Sequence, residues 1–151
     1  MELDNLERLQ RIDTLNMLAE IEGLPGQLAR AYQMGLSQTS EVLKTSEVSL
    51  RQVIISGMGG SAIGADLLAA YVADACPVPV IVHRDYGLPA CARGEGTLVV
   101  CSSHSGDTEE TLDSFAAARK NGCRVLAVCT GGELAAQAKQ EKIPLITFEH
   151  A

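Results

Sequence analysis

The chain has 151 residues, of which 46% are hydrophobic, only 3% are aromatic and none is tryptophan. This length suits one globular domain, and a core without large rings must be built from aliphatic side chains, which favours buried parallel strands and close-packed helices. The formal net charge of -7 argues against nucleic acid or an acidic membrane surface as a partner, because an acidic protein does not attract either.

The first fifty residues have a helical pattern without a strand-like run. Leucine and isoleucine recur every third residue from Leu3 to Ile21. On one straight helix, residues at this spacing would wind around the surface and would not form a single apolar face. We therefore expect a break near Asp13, which can cap a second helix. Pro25, after Gly23, is expected in the first turn of a further helix. The apolar face of that helix is predicted to contain Leu28, Ala31, Tyr32, Gly35 and Leu36.

The remaining residues alternate short apolar runs with helical stretches. Strands are predicted at 53–55, 78–82, 98–101, 125–129 and 145–148, and helices at 62–73, 108–120 and 133–140. The Gly- and Pro-containing segment 85–96 is predicted to be a surface loop. Apolar strands joined through helices predict an α/β fold, a three-layer sandwich with a five-stranded parallel sheet and right-handed crossovers. Residues 1–50 are then a helical extension that packs on the domain formed by residues 51–151.

The cysteines and the N-terminal residues indicate a reducing, cytoplasmic location. The five cysteines are odd in number and form neither a C-x-x-C pair nor a metal-ligand pattern with histidine. The sequence also lacks a basic region followed by an apolar run at its start, and it lacks the roughly 18 apolar residues of a membrane span. We expect neither a metal nor a cofactor.

The turn after the first predicted strand contains Gly57, Gly59, Gly60 and Ser61. Glycines permit close backbone approach, and the following helix offers unpaired N–H groups at its positive dipole end. An anion is the natural ligand, held by the amides of Gly59 and Gly60 and by the Ser61 hydroxyl. A tight turn against a helix needs the same glycines, so this turn alone does not decide the function.

The turn after the third predicted strand is rich in hydroxyl groups, which suit phosphate. These hydroxyls belong to Ser102, Ser103, Ser105 and Thr108. Asp107 is expected to cap the following helix in a capping box with Glu110. Because the carboxyl ends of neighbouring parallel strands meet at one edge of a sheet, both turns are expected to hold one phosphate from two sides.

The segments GMGGSAIGAD at 57–66 and SHSGDTEETL at 103–112 resemble the two phosphosugar motifs of the sugar isomerase (SIS) domain. Together with the lead-in LPGQL at 24–28, they resemble the N-terminal half of the bifunctional phosphoglucose/phosphomannose isomerases. The resemblance implies a flavodoxin-like sheet, dimers, and aldose–ketose isomerisation of fructose, glucose or mannose 6-phosphates through an enediol. The residues that it places on the 6-phosphate are Gly60, Ser61, Ser103, Ser105 and Thr108.

The chain departs from the family pattern in three places. His104 stands where the family usually has Tyr, and Asp107 stands where it usually has Asn. Family members also have a second such domain with the catalytic Glu, His and Lys, whereas this chain stops at Ala151. The resemblance therefore implies a phosphosugar-binding domain that is incomplete for catalysis alone and pairs with a second copy or a complementary second SIS domain.

No residue of this chain is predicted to be catalytic. His83, at the end of the second strand, and His104, inside the second turn, are secondary candidates for the ligand cleft, although an ordinary surface or loop position is the simpler alternative for both. His150 has no expected role.

Two other functions stay open. The pattern Gly57-x-Gly59-x-x-Ala62 meets a loose dinucleotide fingerprint, but His83 and Arg84 stand where an acidic ribose contact is expected. A non-catalytic module that senses sugar phosphates or mediates dimerisation would equally lack catalytic residues.

Overall fold

The computed structural model describes residues 5–42 and 49–149, and the chain divides into two compact units, Met1–Ser40 and Glu41–Ala151. Leu3 and His150, considered above, lie outside the described residues. The prediction that the N-terminal extension packs on the domain stays a prediction. In the described part of the chain, no helix is long and apolar enough to span a membrane.

The first unit contains helix α1, Leu6–Ile12, and helix α2, which begins at Met17. The predicted break at Asp13 is confirmed. The two carboxylate oxygens of Asp13 accept hydrogen bonds from the backbone N–H groups of Met17 and Leu18, at 2.6 and 2.8 Å. These bonds satisfy two of the first amides of α2, which have no acceptor inside the helix.

The prediction that Pro25 begins a further helix is wrong. Helix α2 extends over Met17–Val42, and Pro25 lies inside it. A proline lacks the N–H for one backbone hydrogen bond of the helix, yet α2 continues past Pro25 as far as Val42. On the predicted apolar face of this helix, Leu28, Tyr32 and Leu36 are exposed.

The second unit is an α/β domain, as predicted. Its elements are β1 Gln52–Ser56, α3 Gly59–Val72, β2 Val80–His83, β3 Thr97–Ser103, α4 Glu109–Lys120, β4 Arg124–Cys129, α5 Gly132–Gln140 and β5 Leu145–Thr147. All neighbouring strands are parallel, in the order β2-β1-β3-β4-β5. The segment 85–96 has neither helix nor strand, as predicted for a loop.

The strand order reverses between β1 and β3. From β1 the chain crosses to β2 on one side, and from β3 it proceeds to β4 and β5 on the other side. Right-handed crossovers then place α3 on one face of the sheet and α4 with α5 on the opposite face. The ends of β1 and β3 lie side by side, since Ser56 pairs with Cys101. Ligands of such sheets bind at this edge.

The core lies between the sheet and helices α4 and α5. Alternate residues of β3 and β4 are buried there against Phe115 and Leu134, each no more than 1% exposed. The residues between them, such as Val100 and Leu126, belong to the opposite face and are only half-buried. The domain therefore has one well-covered face and one partly open face in the described structure.

We expect the cysteines to differ widely in reactivity. Cys101 is completely buried and burial raises its pKa to about 12, whereas Cys91 is exposed. Because the thiolate is the reactive form, iodoacetamide at pH 8 is expected to modify Cys91 rapidly and Cys101 only when the domain opens. Peptide mass spectrometry after timed alkylation measures both rates, and full modification in denaturant is the control. Equal rates in the native chain would contradict the buried position of Cys101.

The same thiol also makes stability depend on pH. The folded domain keeps Cys101 protonated, whereas an unfolded cysteine ionises near pH 8.5. The contribution of the Cys101 thiol to the free energy of unfolding is therefore complete below about pH 8.5 and is lost as the pH rises toward 12.

Candidate functional site

An open cleft of about 960 Å³ extends over one face of the sheet beside α3, and one end of it reaches the carboxyl ends of β1 and β3. Its floor is the partly open face of the sheet, including Val53, Val100 and Val128. Its polar lining comes from both turns that the sequence singled out. The lining residues with polar side chains are Ser61, Ser102, His104, Ser105 and Thr108, and Gly60 lines the cleft beside them.

The first turn presents the start of α3 to this cleft. Met58 precedes the helix in an extended conformation and provides no side-chain cap. The amides of Gly59 and Gly60, at the first two positions of α3, have no acceptor inside the helix. Gly59 has φ +51, which glycine adopts without strain, but it is exposed and is not part of the cleft lining. Gly60 and Ser61 do line the cleft.

Gly57 allows the first turn to pack closely against the end of β3. A Cβ atom at Gly57 would lie 2.7 Å from the carbonyl oxygen of Ser102, closer than real Cβ atoms approach. Gly57 also donates its N–H to the carbonyl of His83, at 3.2 Å. Only a residue without a side chain allows the first turn to run so close to the end of β3.

Ser103 and Thr108 define the shape of the second turn. The Ser103 and Thr108 hydroxyl oxygens are 2.8 Å apart, and Ser103 Oγ also accepts the N–H of Gly106 at 3.0 Å. Ser103 is 2% exposed and does not line the cleft, whereas Ser105 and Thr108 do. The proposed contact of Ser103 with a phosphate stays a prediction, since its observed bonds lie within the turn.

The predicted capping box of Asp107 with Glu110 is wrong. The residue at the N-cap of α4 is Thr108, and α4 receives no side-chain cap from it. Asp107 Oδ1 instead accepts the N–H of Glu133, in the first turn of α5, at 2.8 Å. Helix α5 begins after Gly131, which has no side chain for capping, so Asp107 satisfies an amide that would otherwise lack a partner.

The start of α4 therefore resembles the start of α3 in lacking a side-chain cap. The first-turn carboxylate of Glu109 accepts a hydrogen bond from the Tyr86 hydroxyl at 3.1 Å. This bond raises the pKa of Tyr86, and the negative charges of Glu109 and Glu110 add to the effect.

The two secondary candidates occupy different places. His104 lines the cleft, and its ring centroid is 5.6 Å from that of Phe148, which also lines it. His83 is half-buried at the end of β2 and lies outside the cleft lining. Its buried Nε2 atom has no hydrogen-bond partner among the described residues. That His83 or His104 contacts a ligand remains a prediction.

Sequence reasoning did not single out Met58 and Phe148 in the lining or the ion pair between Arg84 and Asp66. Arg84 follows β2 and also donates to the carbonyl of Ala62 at 3.3 Å, so it ties the β2 end to α3. Met58 and Asp66 lie within the segment 57–66 that resembles a phosphosugar motif, but nothing in the local sequence pattern assigns these contacts to them. Within residues 5–42 and 49–149, no group of three or more His, Cys, Asp or Glu side chains could hold a metal ion.

No family model matches the chain. Comparison with individual proteins does find relatives. The bifunctional phosphoglucose/phosphomannose isomerase of Caldicellulosiruptor bescii is 42% identical over 132 residues, which is 87% of this chain and 38% of that protein. The enzyme of the same name from Thermoplasma acidophilum is 35% identical over 106 residues, 63% of this chain and 33% of its own length.

The chain is a relative of the bifunctional phosphoglucose/phosphomannose isomerases. The resemblance seen in the sequence is thereby confirmed. The chain spans less than two fifths of the length of these two relatives.

Solved structures confirm the fold class. A Bacillus subtilis structure described as a putative phosphosugar isomerase aligns with a TM-score of 0.60 and 23% identity, covering 74% of this chain and 35% of the other. Tagatose-6-phosphate ketose/aldose isomerase from Escherichia coli aligns with a TM-score of 0.56 and 18% identity, covering 85% and 36%. The chain therefore shares with these structures an α/β fold with a five-stranded parallel sheet.

Proposed function

We propose that this domain binds a hexose 6-phosphate, of the fructose, glucose or mannose type, through its phosphate group. The observation that carries the proposal is that two uncapped helix N-termini, those of α3 and α4, adjoin one cleft at the reversal of strand order. Helix N-termini bind anions through free amides and through the positive end of the helix dipole. The relatives are named as isomerases of phosphorylated sugars, which supports this class of ligand.

In this proposal the amide of Gly60 and the hydroxyls of Ser61, Ser105 and Thr108, which line the cleft, surround the phosphate. The amide of Gly59, outside the lining at the first position of α3, is a further proposed donor. Hydrogen bonds from such donors to an ion are stronger than those between neutral groups. The net charge of -7 does not prevent binding, because exposed charges beyond about 8 Å are largely screened at physiological salt. The sugar would then extend along the apolar floor of the cleft.

We further propose that the domain serves an aldose–ketose isomerase. Moving a proton between C1 and C2 through an enediol needs a general base, whereas the phosphate site supplies position. The described residues that line the cleft include no Asp, Glu or Lys and one histidine, His104. The proton-transfer groups would come from a second domain of the same kind or from a second copy of the chain, in a cytoplasmic dimer.

Calorimetry with fructose 6-phosphate tests the proposal, with inorganic phosphate and NAD as comparison ligands. We expect saturable binding of the sugar phosphate and weaker binding of both comparison ligands. Replacing Ser105 by Ala removes one hydroxyl from the lining and is expected to reduce affinity about tenfold, the usual effect of losing a hydrogen bond to a charged group. Ser37→Ala, in α2 of the other unit, is the matched control and should bind like the unaltered chain.

Two results would count against the proposal. Failure of the unaltered chain to bind any sugar phosphate would remove the function and leave the fold alone. Tighter binding of NAD than of fructose 6-phosphate would instead favour a nucleotide site.

A further inference from the structure

The segment Thr130–Leu134, which contains the β4–α5 connection and the first residues of helix α5, is hydrogen-bonded to the proposed phosphate-site turn that contains Ser105. Thr130 donates both its backbone N–H and its hydroxyl to the carbonyl of His104, at 3.0 and 2.7 Å. Leu134 donates its N–H to the carbonyl of Gly106 at 2.9 Å. We call residues 130–134 the supporting turn.

Asp107 and two glycines complete this contact. Asp107 accepts the N–H of Glu133 from the supporting turn at 2.8 Å. A Cβ atom at Gly106 would collide with the carbonyl oxygen of Gly131, and one at Gly132 would lie 2.5 Å from the carbonyl of Ser105. The two backbones therefore touch with no room for side chains, and the position of one turn determines the position of the other.

The supporting turn itself lies outside the cleft lining. None of the residues from Thr130 to Leu134 is among those that line the cleft, whereas His104 and Ser105 are. Any effect of the supporting turn on a ligand must therefore act through the turn that it holds.

The Asp107 carboxylate interacts with the start of helix α5 and not with the proposed ligand. A carboxylate beside a phosphate is unfavourable, because both are negative, unless a positive group compensates the repulsion. Asp107 is directed at the N-terminus of α5, where an amide and the positive helix end stabilise a negative charge. The N-termini of α3 and α4 remain uncapped by side chains of their own and are available to an anion.

We infer that Asp107 and Thr130 are positioning residues, which hold the Ser105 turn in its binding geometry and so set the affinity for sugar phosphates without touching the ligand. This inference rests on the proposed function. A turn that is correctly placed only part of the time binds with an affinity reduced by that fraction. Loss of the Asp107 bond should therefore weaken binding even though the ligand contacts remain intact.

The test compares Asp107→Ala with Asp107→Asn in fructose 6-phosphate calorimetry. Alanine removes the acceptor for the Glu133 amide, and we expect affinity to fall about fivefold, the usual effect of losing a helix cap. Asparagine keeps a side-chain oxygen and removes the charge, so it should restore the affinity of the unaltered chain or exceed it. Asp74→Ala, an exposed aspartate outside the cleft lining, is the control for loss of one negative charge.

Amide hydrogen exchange supplies a second readout that does not depend on ligand. Asp107→Ala should speed exchange of the Gly106 and Glu133 amides while leaving the exchange of Val99, in the central strand, unchanged. Thr130→Val keeps the shape and the backbone N–H but removes the hydroxyl bond to His104, and should reduce affinity about threefold. This variant remains informative if Asp107→Ala does not fold.

The outcomes separate the two claims. If the unaltered chain binds and the Asp107→Ala and Thr130→Val variants bind equally well, the inference is overturned and the proposed function stands. If asparagine fails to rescue the loss caused by alanine, positioning through the cap is also wrong. If the unaltered chain does not bind, the proposed function falls and this inference falls with it.

Discussion

Replacing Gly106 by Ala is expected to lower the free energy of unfolding by about 3 kcal/mol and to abolish sugar-phosphate binding. Gly106 has φ +82, where a side chain costs about 1–2 kcal/mol, and its Cβ would collide with the carbonyl oxygen of Gly131. Overpacking of this kind adds about 1–3 kcal/mol. Urea denaturation followed by circular dichroism measures the loss, and calorimetry with fructose 6-phosphate measures binding.

Gly122→Ala is the matched control for the backbone effect. Gly122 has φ +69, but a Cβ atom there would meet nothing within 4 Å. This variant should lose only about 1–2 kcal/mol of stability and should bind normally. The contact between the two turns would be refuted if both variants lost the same stability and the Gly106 variant still bound the ligand.

Replacing Ser61 by Asp is expected to abolish phosphate binding while leaving the fold as stable or more stable. Ser61 occupies the third position of α3 and lines the cleft. A carboxylate in the first turn of a helix stabilises it by about 0.3–1 kcal/mol, because it interacts with the positive helix end. The same charge repels a phosphate at that site and competes for the same amides, so affinity should fall more than about 100-fold.

Opposite changes in stability and binding would distinguish a blocked site from a damaged fold. Ser61→Asn serves as the control, since it has nearly the size of aspartate without the charge, and it should lose about tenfold in affinity at most. Thermal unfolding and calorimetry are measured on both variants. Unchanged affinity of Ser61→Asp would exclude the α3 N-terminus as the phosphate site.

The fold class was predictable because its signals are local. Runs such as Val53-Ile54-Ile55 and the alternation of strands with helices are typical of a parallel sheet, and the structure confirms five parallel strands. The break at Asp13 was predictable for the same reason, since its capping partners are four and five residues away. Pro25 was mispredicted because proline more often begins a helix than lies within one.

The two turns of the candidate site were also visible in the sequence. Glycines and hydroxyls directly after apolar strands identify strand ends, and the ends of β1 and β3 adjoin in the observed sheet. The placement of individual side chains was less predictable. Ser103 turned out to be buried and bonded within its turn, while Ser105 and Thr108 line the cleft.

The sequence by itself determined the α/β architecture and the position of both turns, because propensities and hydrophobic periodicity act within a few residues of the chain. Only the tertiary structure decided that Asp107 caps α5 and that the carbonyl oxygen of Ser102 lies too close to Gly57 for a side chain there. The bond between Asp107 and Glu133 joins residues 26 positions apart. Such contacts depend on how the sheet brings distant turns together, and a local pattern carries no information about which distant amide will lack a partner.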